Sequence, residues 1–202
     1  MTAHYQKGNE NKVAFVFSCP GRHEEAEGYP AAQNTGTNLI NLLLELSRII
    51  TREDLIREYI TIANAWDRIE YDKKTNRSEA TNKEILLPSN ILRLANELSH
   101  VEEFVVFCGE KAKIASEQLI QQWSLKKQPL FLFIDHLGIK GLNNSILYDI
   151  DGNKIVKATD QIATGNNDAK SKIQSENTKK RLQVVANNMA IQLITLKQAD
   201  AK

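Results

Sequence analysis

Short apolar runs alternate with longer amphipathic segments along this chain. Four runs are rich in β-branched and aromatic residues and have the length of buried strands, at positions 13–17 (VAFVF), 59–64 (YITIAN), 104–108 (FVVFC) and 130–134 (LFLFI). Apolar residues recur at helical spacing from Thr37 onward and over 111–123. Two further helices are predicted over 51–59, where Thr51 is the cap and Glu53 and Asp54 lie in the first turn, and over 89–100, where Ser89 is the cap. This alternation predicts an α/β fold in which helices cover both faces of a parallel sheet.

The remaining segments are polar or weakly patterned. The charged stretch 67–83 predicts a mobile loop, and 158–169 predicts a second loop. Asp151 followed by Gly152 predicts a hairpin over 146–157. A last amphipathic helix is predicted over 169–193, with Lys179, Lys180 and Arg181 on its basic side. The sequence contains no internal repeat, and we expect one domain over residues 1–202.

Charge and cysteine usage narrow the class of protein. The formal net charge is +1, so no overall positive field draws the chain onto nucleic acid, and any DNA binding must use a local patch. Cys19 and Cys108 are too few for a disulfide framework or a typical zinc or iron–sulfur site. No signal segment is visible, and no run approaches the roughly 20 apolar residues of a membrane span. We expect a cytoplasmic monomer without metal or cofactor.

Most of the candidate chemistry follows the first strand. The chain there reads FSCPGRHEE over 17–25, then GYP over 28–30 and Gly36, and the downstream segments are 63–64 (AN), 107–112 (FCGEKA) and 136–143 (HLGIKGLN). In this order the segments resemble the motifs of the uracil-DNA glycosylase superfamily. The first resembles the Gly-Glu-Ala-Pro-Gly, Glu-Asp, Gly-x-Pro-Phe and Gly series of its thermostable iron–sulfur branch.

The resemblance covers roughly residues 12–145 and carries expectations for fold and reaction. It implies a three-layer αβα fold with a central four-stranded parallel sheet. It also implies hydrolysis of the bond between deoxyribose and a base that has been flipped out of the DNA stack, without a metal. The cysteine ligands of the iron–sulfur branch are absent, so no cluster is expected.

Two residues occupy positions to which the resemblance assigns roles. His136 corresponds to the histidine that donates a hydrogen bond to the departing base; a histidine after a strand is otherwise a capping or surface residue. Asn64 corresponds to the residue that reads the edge of the base, because an amide both donates and accepts. Its alternative role is that of a turn residue at the end of a strand.

Ser18 departs from the family pattern in a way that bears on catalysis. It stands where the family has an acidic residue or Asn, and a hydroxyl cannot supply a full negative charge to a cationic sugar. Glu24, Glu25 and Asp67 could each supply that charge, and we favour Asp67 and Glu24, although charged loop residues are usually only solvated.

The predicted base pocket has also lost an aromatic ring. Ala31 stands where the family carries a Phe that stacks on uracil, which predicts room for a bulkier, modified base or, alternatively, a degenerate pocket. Tyr29 or Trp66 would then supply the stacking, worth about 1–3 kcal/mol per base. Cys19 completes the predicted pocket.

Contacts to DNA are expected from both motif loops. Backbone N–H groups and cations there would bind phosphate, and Leu142 or Ile139 would insert into the duplex as an apolar wedge. The predicted phosphate contacts are Gly21, Arg22, Gly138 and Lys140.

We therefore interpret the sequence as that of a monofunctional DNA glycosylase acting on a modified base in single- or double-stranded DNA. Its role would lie in repair or in defence against modified foreign DNA. Ser18 and Ala31 leave open a catalytically inactive nucleic-acid-binding module of the same fold. The nearly neutral charge leaves open a hydrolase of free nucleosides.

Overall fold

A mixed sheet of five strands forms the centre of the protein. The computed structural model describes residues 1–122, 128–161 and 166–200. Its strands are β1 (Tyr5–Gln6), β2 (Val13–Phe17), β3 (Thr61–Asn64), β4 (Phe104–Cys108) and β5 (Leu130–Ile134), in the spatial order β1-β3-β2-β4-β5. β3 pairs in parallel with β2, β2 with β4, and β4 with β5, whereas β1 is antiparallel to β3.

The four longer strands confirm the sequence prediction, whereas β1 was not predicted. Tyr5 and Gln6 form no apolar run, and only their pairing with Ala63 and Ile62 makes them a strand. The expected purely parallel sheet of four strands is therefore corrected to a mixed sheet of five.

Helices cover both faces of this sheet, which confirms the α/β class. In the described part of the chain they are α1 (Arg22–Glu27), α2 (Gln33–Ile50), α3 (Asp72–Thr75), α4 (Asn82–Ile85), α5 (Pro88–Leu98), α6 (Glu110–Gln122), α7 (Ile139–Ser145), α8 (Ala158–Gln161) and α9 (Asn167–Asp200). α2, α7 and α9 pack with Phe15 of β2 on one face. α4, α5 and α6 pack with Val16 on the other, an arrangement compatible with three αβα layers.

The predicted helix over 51–59 is wrong. Thr51 adopts a left-handed conformation with φ of 54° and ends α2. Asp54, expected to stabilise a new helix terminus, instead accepts hydrogen bonds from Arg52 at 2.7 and 2.8 Å and from Lys12 at 3.0 Å. Residues 51–59 consequently form turns between α2 and β3.

Other boundaries also differ from the prediction. α2 begins at Gln33 instead of Thr37, and the stretch 67–83 includes α3 and part of α4.

The hairpin is confirmed in position, with one antiparallel bridge between Tyr148 and Lys154 and Gly152 at φ of 80°. The final helix extends over Asn167–Asp200, and part of the predicted loop at 158–169 lies outside the described residues. Among the described helices, none is long and apolar enough to cross a membrane.

Candidate functional site

A cavity of about 560 Å³ opens at the carboxyl ends of the strands. It lies where strand order reverses, since the chain passes from β2 to β3 on one side and then to β4 on the other. Open parallel sheets bind ligands at such points. Its lining residues are Phe17, Ser18, Cys19, Gly21, Glu24, Ala31, Thr35, Asn64, Ser78, Glu79, His136, Lys140, Gly141 and Asn144.

Backbone hydrogen bonds hold the ends of β2 and β3 together at this cavity. Ala65 N–H donates to the Phe17 carbonyl at 2.7 Å, and Trp66 N–H donates to the Ser18 carbonyl at 3.0 Å. Farther along, Glu70 N–H donates to the Pro20 carbonyl at 2.9 Å. These bonds extend the parallel pairing beyond the sheet, so Ser18 and Asn64 line the same cavity.

His136 reaches the cavity from β5, across the end of β4. A Cβ added to Gly109, at the end of β4, would lie 3.2 Å from the His136 Cβ, and one added to Gly138 would lie 2.9 Å from Nδ1. A Cβ added to Gly141 would come closer still to His136, against its carbonyl oxygen. Glycine at these three positions therefore makes room for His136, its ring at Gly109 and Gly138 and its backbone at Gly141. Asn38 Nδ2 of α2 holds the same loop by donating to the Leu137 carbonyl at 2.7 Å.

The environment of His136 favours one neutral form of the ring. Gly138 N–H donates to Nδ1 at 2.9 Å, so Nδ1 is an acceptor and a neutral ring carries its proton on Nε2. Burial lowers the pKa of His136 below its usual value, although the carboxylates of Glu79 and Glu24 oppose this shift. The Phe17 ring lies edge-on at 6.1 Å between centroids. At neutral pH the site thus holds an uncharged imidazole with an N–H donor.

Glu79 places a negative charge at the cavity, and it is not among the site residues predicted from the sequence. The Ser18 hydroxyl donates to Glu79 Oε1 at 3.2 Å, and both residues line the cavity. Glu79 belongs to the charged loop at 67–83, where Arg77 pairs with Glu70 and Glu84. These ion pairs hold the loop beside the cavity, so no local sequence pattern indicates that Glu79, an exposed residue, lines it.

Arg77 forms an ion pair with Glu70, whose carboxylate is buried. The guanidinium holds the pKa of Glu70 down to about 2 against the opposing effect of burial. Glu70 Oε1 also accepts a hydrogen bond from Trp66 Nε1 at 3.1 Å. The loop that carries Glu79 is thereby fastened to the chain just after β3.

Glu24 lines the cavity but both of its carboxylate oxygens bind backbone. Oε2 accepts from Gly21 N–H and Oε1 from Ala32 N–H, each at 3.0 Å. Ala32 lies between Ala31 and Gln33, both left-handed with φ of 49°. Non-glycine residues in this conformation are costly and persist only where the surroundings enforce them.

Arg57 supplies the second support of this strained segment. Its Nη2 donates to the Pro30 carbonyl at 2.6 Å and its Nη1 donates to the Ala31 carbonyl at 3.1 Å. Burial lowers the pKa of Arg57. Its guanidinium also lies 5.5 Å from the centre of the Tyr29 ring, which does not line the cavity.

Cys19 and Asn64 complete the cavity with neutral groups. Burial raises the pKa of Cys19 to about 11, so its thiol stays protonated at neutral pH. Its Sγ donates to the Ser78 carbonyl at 3.8 Å. Asn64 is buried, and its Nδ2 donates to the His4 carbonyl at 3.2 Å, which fixes the plane of the amide.

Several predicted site residues lie elsewhere. Asp67 and Arg22 are not among the lining residues, and Trp66 is buried with its indole N–H bound to Glu70. Leu142 is 1% exposed in the core, so it cannot act as a wedge without unpacking; its alternative, Ile139, is 45% exposed.

The predicted phosphate donors are likewise engaged within the protein. The Gly138 N–H binds His136 and the Gly21 N–H binds Glu24. Neither N–H is therefore available to a phosphate in this arrangement. Lys140 remains, as an exposed cation on the cavity lining.

Comparison with known proteins finds no family model that matches the chain and no curated protein with significant sequence similarity. Within the described residues, no cluster of three or more His, Cys, Asp or Glu side chains is placed to hold a metal ion. The cavity at the carboxyl ends of the strands is therefore the feature that indicates a function.

Proposed function

We propose that this chain is a DNA glycosylase that hydrolyses the N-glycosidic bond of a flipped, modified base and leaves an abasic site. The observation that carries the proposal is the meeting of two complementary groups in one cavity. His136 offers a neutral N–H donor, while Ser18 and Glu79 offer a hydroxyl and a carboxylate. Cleavage of this bond leaves negative charge on the base and positive charge on the sugar, and each group suits one fragment.

The bond between C1′ of the sugar and the base nitrogen breaks with its electron pair going to the base. Nε2–H of His136 donates to the anionic base, and the base takes up a proton from solvent as it leaves. A water molecule adds to C1′ and passes its proton to Glu79 or to solvent. The products are the free base and an abasic deoxyribose.

Glu79 takes over the charge that Ser18 lacks. The hydroxyl of Ser18 orients Glu79 through a hydrogen bond of 3.2 Å, so the carboxylate is positioned before substrate binds. Preorganised charge is worth more than mobile charge because no reorganisation is needed as the reaction proceeds. Glu24 is less suited to this role because two backbone N–H groups already bind its oxygens.

The cavity is suited to a base larger than uracil. Its volume of about 560 Å³ exceeds the requirement of a single small ring, and Ala31 contributes only a methyl group to the wall. Asn64 supplies the edge contact: one of its N–H bonds is held by His4, which leaves Oδ1 and the second N–H to pair with the base.

The resemblance to the uracil-DNA glycosylase superfamily supports this proposal. The segments at 17–25, 63–64 and 136–143, which resemble its motifs, each contribute lining residues to the same cavity. We include in the proposal a glycosylase-like arrangement of the four parallel strands, and a role in repair or in defence against modified foreign DNA.

A substrate screen tests the proposal. Single- and double-stranded oligonucleotides carrying uracil, thymine or bulky 5-substituted pyrimidines are incubated with the protein and treated with alkali, which cuts the strand at abasic sites. We expect cleavage with at least one bulky pyrimidine and weaker or no cleavage with uracil. Release of uracil alone would contradict the proposed pocket size, and no base release from any substrate would contradict the enzymatic proposal.

Hydrolysis of free nucleosides is the second candidate, favoured by the net charge of +1. A free nucleoside carries no phosphate, so an enzyme that hydrolyses it needs no positively charged binding surface. The two functions separate when the same modified base is offered as a nucleoside and within an oligonucleotide. Release from the nucleoside alone would support this candidate, and binding of DNA without release would support a recognition module.

A further inference from the structure

A second cavity, of about 680 Å³, lies beside the first, on the other side of α7. Lys140, Gly141 and Asn144 of α7 line the cavity that contains His136, whereas Ile139 and Asn143 line the second. Its other walls come from α2 along most of its length, from α8 and from α9. The proposed base-excision function leaves this space without a role.

The second cavity is lined mainly by amides, hydroxyls and cations. Asn41 and Thr37 of α2 face Gln174 and Thr178 of α9 across it. Its single acidic lining residue, Glu45, is already paired with Arg48 at 3.1 Å. The polar part of the walls therefore offers hydrogen-bonding groups together with positive charge that no lining carboxylate compensates.

Arg181 indicates what the cavity binds. The residue is 4% exposed and lines the cavity, and its Nε donates to the Ile146 carbonyl at 3.0 Å. No carboxylate in the described part of the chain lies within 4.0 Å of the guanidinium, and burial alone lowers its pKa. A buried charge is costly unless it is paired, so the remaining donors of Arg181 call for an anion.

We propose that the second cavity binds a phosphate ester through Arg181 and Lys179. The planar guanidinium matches two phosphate oxygens, and the hydroxyl and amide groups provide the neutral donors that phosphate esters accept. The volume is within the range of small-molecule sites, so it accommodates a nucleotide or a short stretch of strand rather than a bare ion. This inference does not depend on the excision chemistry.

The experiment compares binding of three probes to the full chain by titration calorimetry: thymidine, thymidine 5′-monophosphate and a 12-nucleotide oligothymidylate. We expect the nucleoside to bind at least tenfold more weakly than one of the two phosphorylated probes. Preference for the oligonucleotide assigns the site to a nucleic-acid strand, and preference for the monophosphate assigns it to a free nucleotide. Equal affinity for all three probes would overturn the proposal.

Neighbouring lysines provide a matched control. Lys179→Gln should weaken binding of the preferred probe about fivefold, because it removes one charged contact that solvent partly screens. Lys180→Gln removes the same charge next in sequence, but Lys180 lies outside the lining residues and 3.8 Å from Asp149, so affinity should stay within twofold. Equal losses in the two variants would overturn the assignment.

Arg181→Gln should weaken binding more than Lys179→Gln, with thermal denaturation reporting whether the variant folds. If Arg181→Gln does not fold, the comparison of Lys179→Gln with Lys180→Gln still tests the proposed phosphate site. The loss of about fivefold caused by Lys179→Gln should persist in a His136→Ala background, because His136 lines the first cavity and Lys179 lines the second. Failure of base excision and failure of this site are therefore distinguishable.

Discussion

The backbone N–H of Gly138 donates a hydrogen bond of 2.9 Å to Nδ1 of His136, two residues before it. This bond determines which ring nitrogen is available to a ligand, because an acceptor at Nδ1 leaves the proton of the neutral ring on Nε2. Burial of the ring lowers its pKa and so favours the same neutral form. The fold thus holds His136 as an uncharged donor in the absence of any ligand.

Gly138→Ala tests this preparation. Gly138 has φ of −64°, so alanine is compatible with the backbone, but its Cβ would lie 2.9 Å from Nδ1 and 3.1 Å from Cε1 of His136. The ring must turn, and we expect base excision in single-turnover assays to slow about tenfold to a hundredfold. Thermal denaturation should show a loss of only about 1–2 kcal/mol.

Gly152→Ala is the control for a glycine substitution far from the cavity. Gly152 is in the hairpin with φ of 80°, so alanine should cost about 1 kcal/mol of stability and leave excision unchanged. A Gly138→Ala protein with the full excision rate would show that the orientation of the His136 ring does not matter.

Stability should depend on pH through His136. Because burial lowers the pKa of the folded group, the unfolded chain takes up a proton first as the pH falls, and protonation then favours unfolding. We expect the wild type to lose stability relative to His136→Gln as the pH falls below about 6.5, the ordinary pKa of histidine. Chemical denaturation at several pH values measures the difference, and parallel curves for the two proteins would contradict the lowered pKa.

Much of the fold follows from local sequence, but the start of α2 does not. Apolar spacing predicts a helix from Thr37, whereas the helix begins at Gln33 with Ala32 as a cap that has no side-chain acceptor. Glu24 binds the Ala32 N–H, and Arg57 binds the carbonyl groups just before it. Both partners are distant in sequence, so capping rules could not place this boundary.

In the candidate site, too, some residues are predictable from local sequence and others are not. Ser18, Asn64 and His136 end or follow apolar strands, so their convergence at one edge is predictable from a parallel sheet. Glu79 is not predictable, because it lies in a charged loop that is held beside the cavity by tertiary contacts, namely the ion pairs of Arg77 and the hydrogen bond from Ser18. Its position just after the strand favours Asp67 instead, but Asp67 does not line the cavity.

Glu79→Gln and Asp67→Asn separate these two carboxylates. Each substitution removes one negative charge with little change in shape, and Glu79 alone hydrogen-bonds Ser18 in the cavity. We expect Glu79→Gln to lower the single-turnover rate about a hundredfold, the usual magnitude for loss of preorganised charge stabilisation. Asp67→Asn should retain nearly the full rate. The reverse ranking would return the sugar-side role to Asp67.

Arg77→Met should weaken both folding and the placement of Glu79. Removing the guanidinium leaves the buried Glu70 carboxylate with Trp66 Nε1 as its neutral partner. We expect a loss of stability in denaturation at pH 7 that is smaller than for a fully buried pair, because Arg77 is one-third exposed.

The contribution of this ion pair should fade in acid. The pKa of Glu70 is lowered to about 2, so the pair stabilises the fold above the ordinary glutamate pKa of about 4.3 and loses that effect as the pH falls toward 2. The wild type and Arg77→Met should therefore converge in stability in acid. A constant difference across this range would mean that Arg77 acts through packing and not through Glu70.

The most direct measurement compares abasic-site formation by the wild type, His136→Gln and His23→Gln on an oligonucleotide carrying the preferred modified base. His23 is an exposed histidine of α1 and does not line the cavity, so its loss controls for a general effect of histidine substitution. We expect His136→Gln to form abasic sites at least a hundredfold more slowly than the wild type, and His23→Gln to match the wild type. Equal rates for all three proteins would contradict the assignment of His136 as the donor to the departing base.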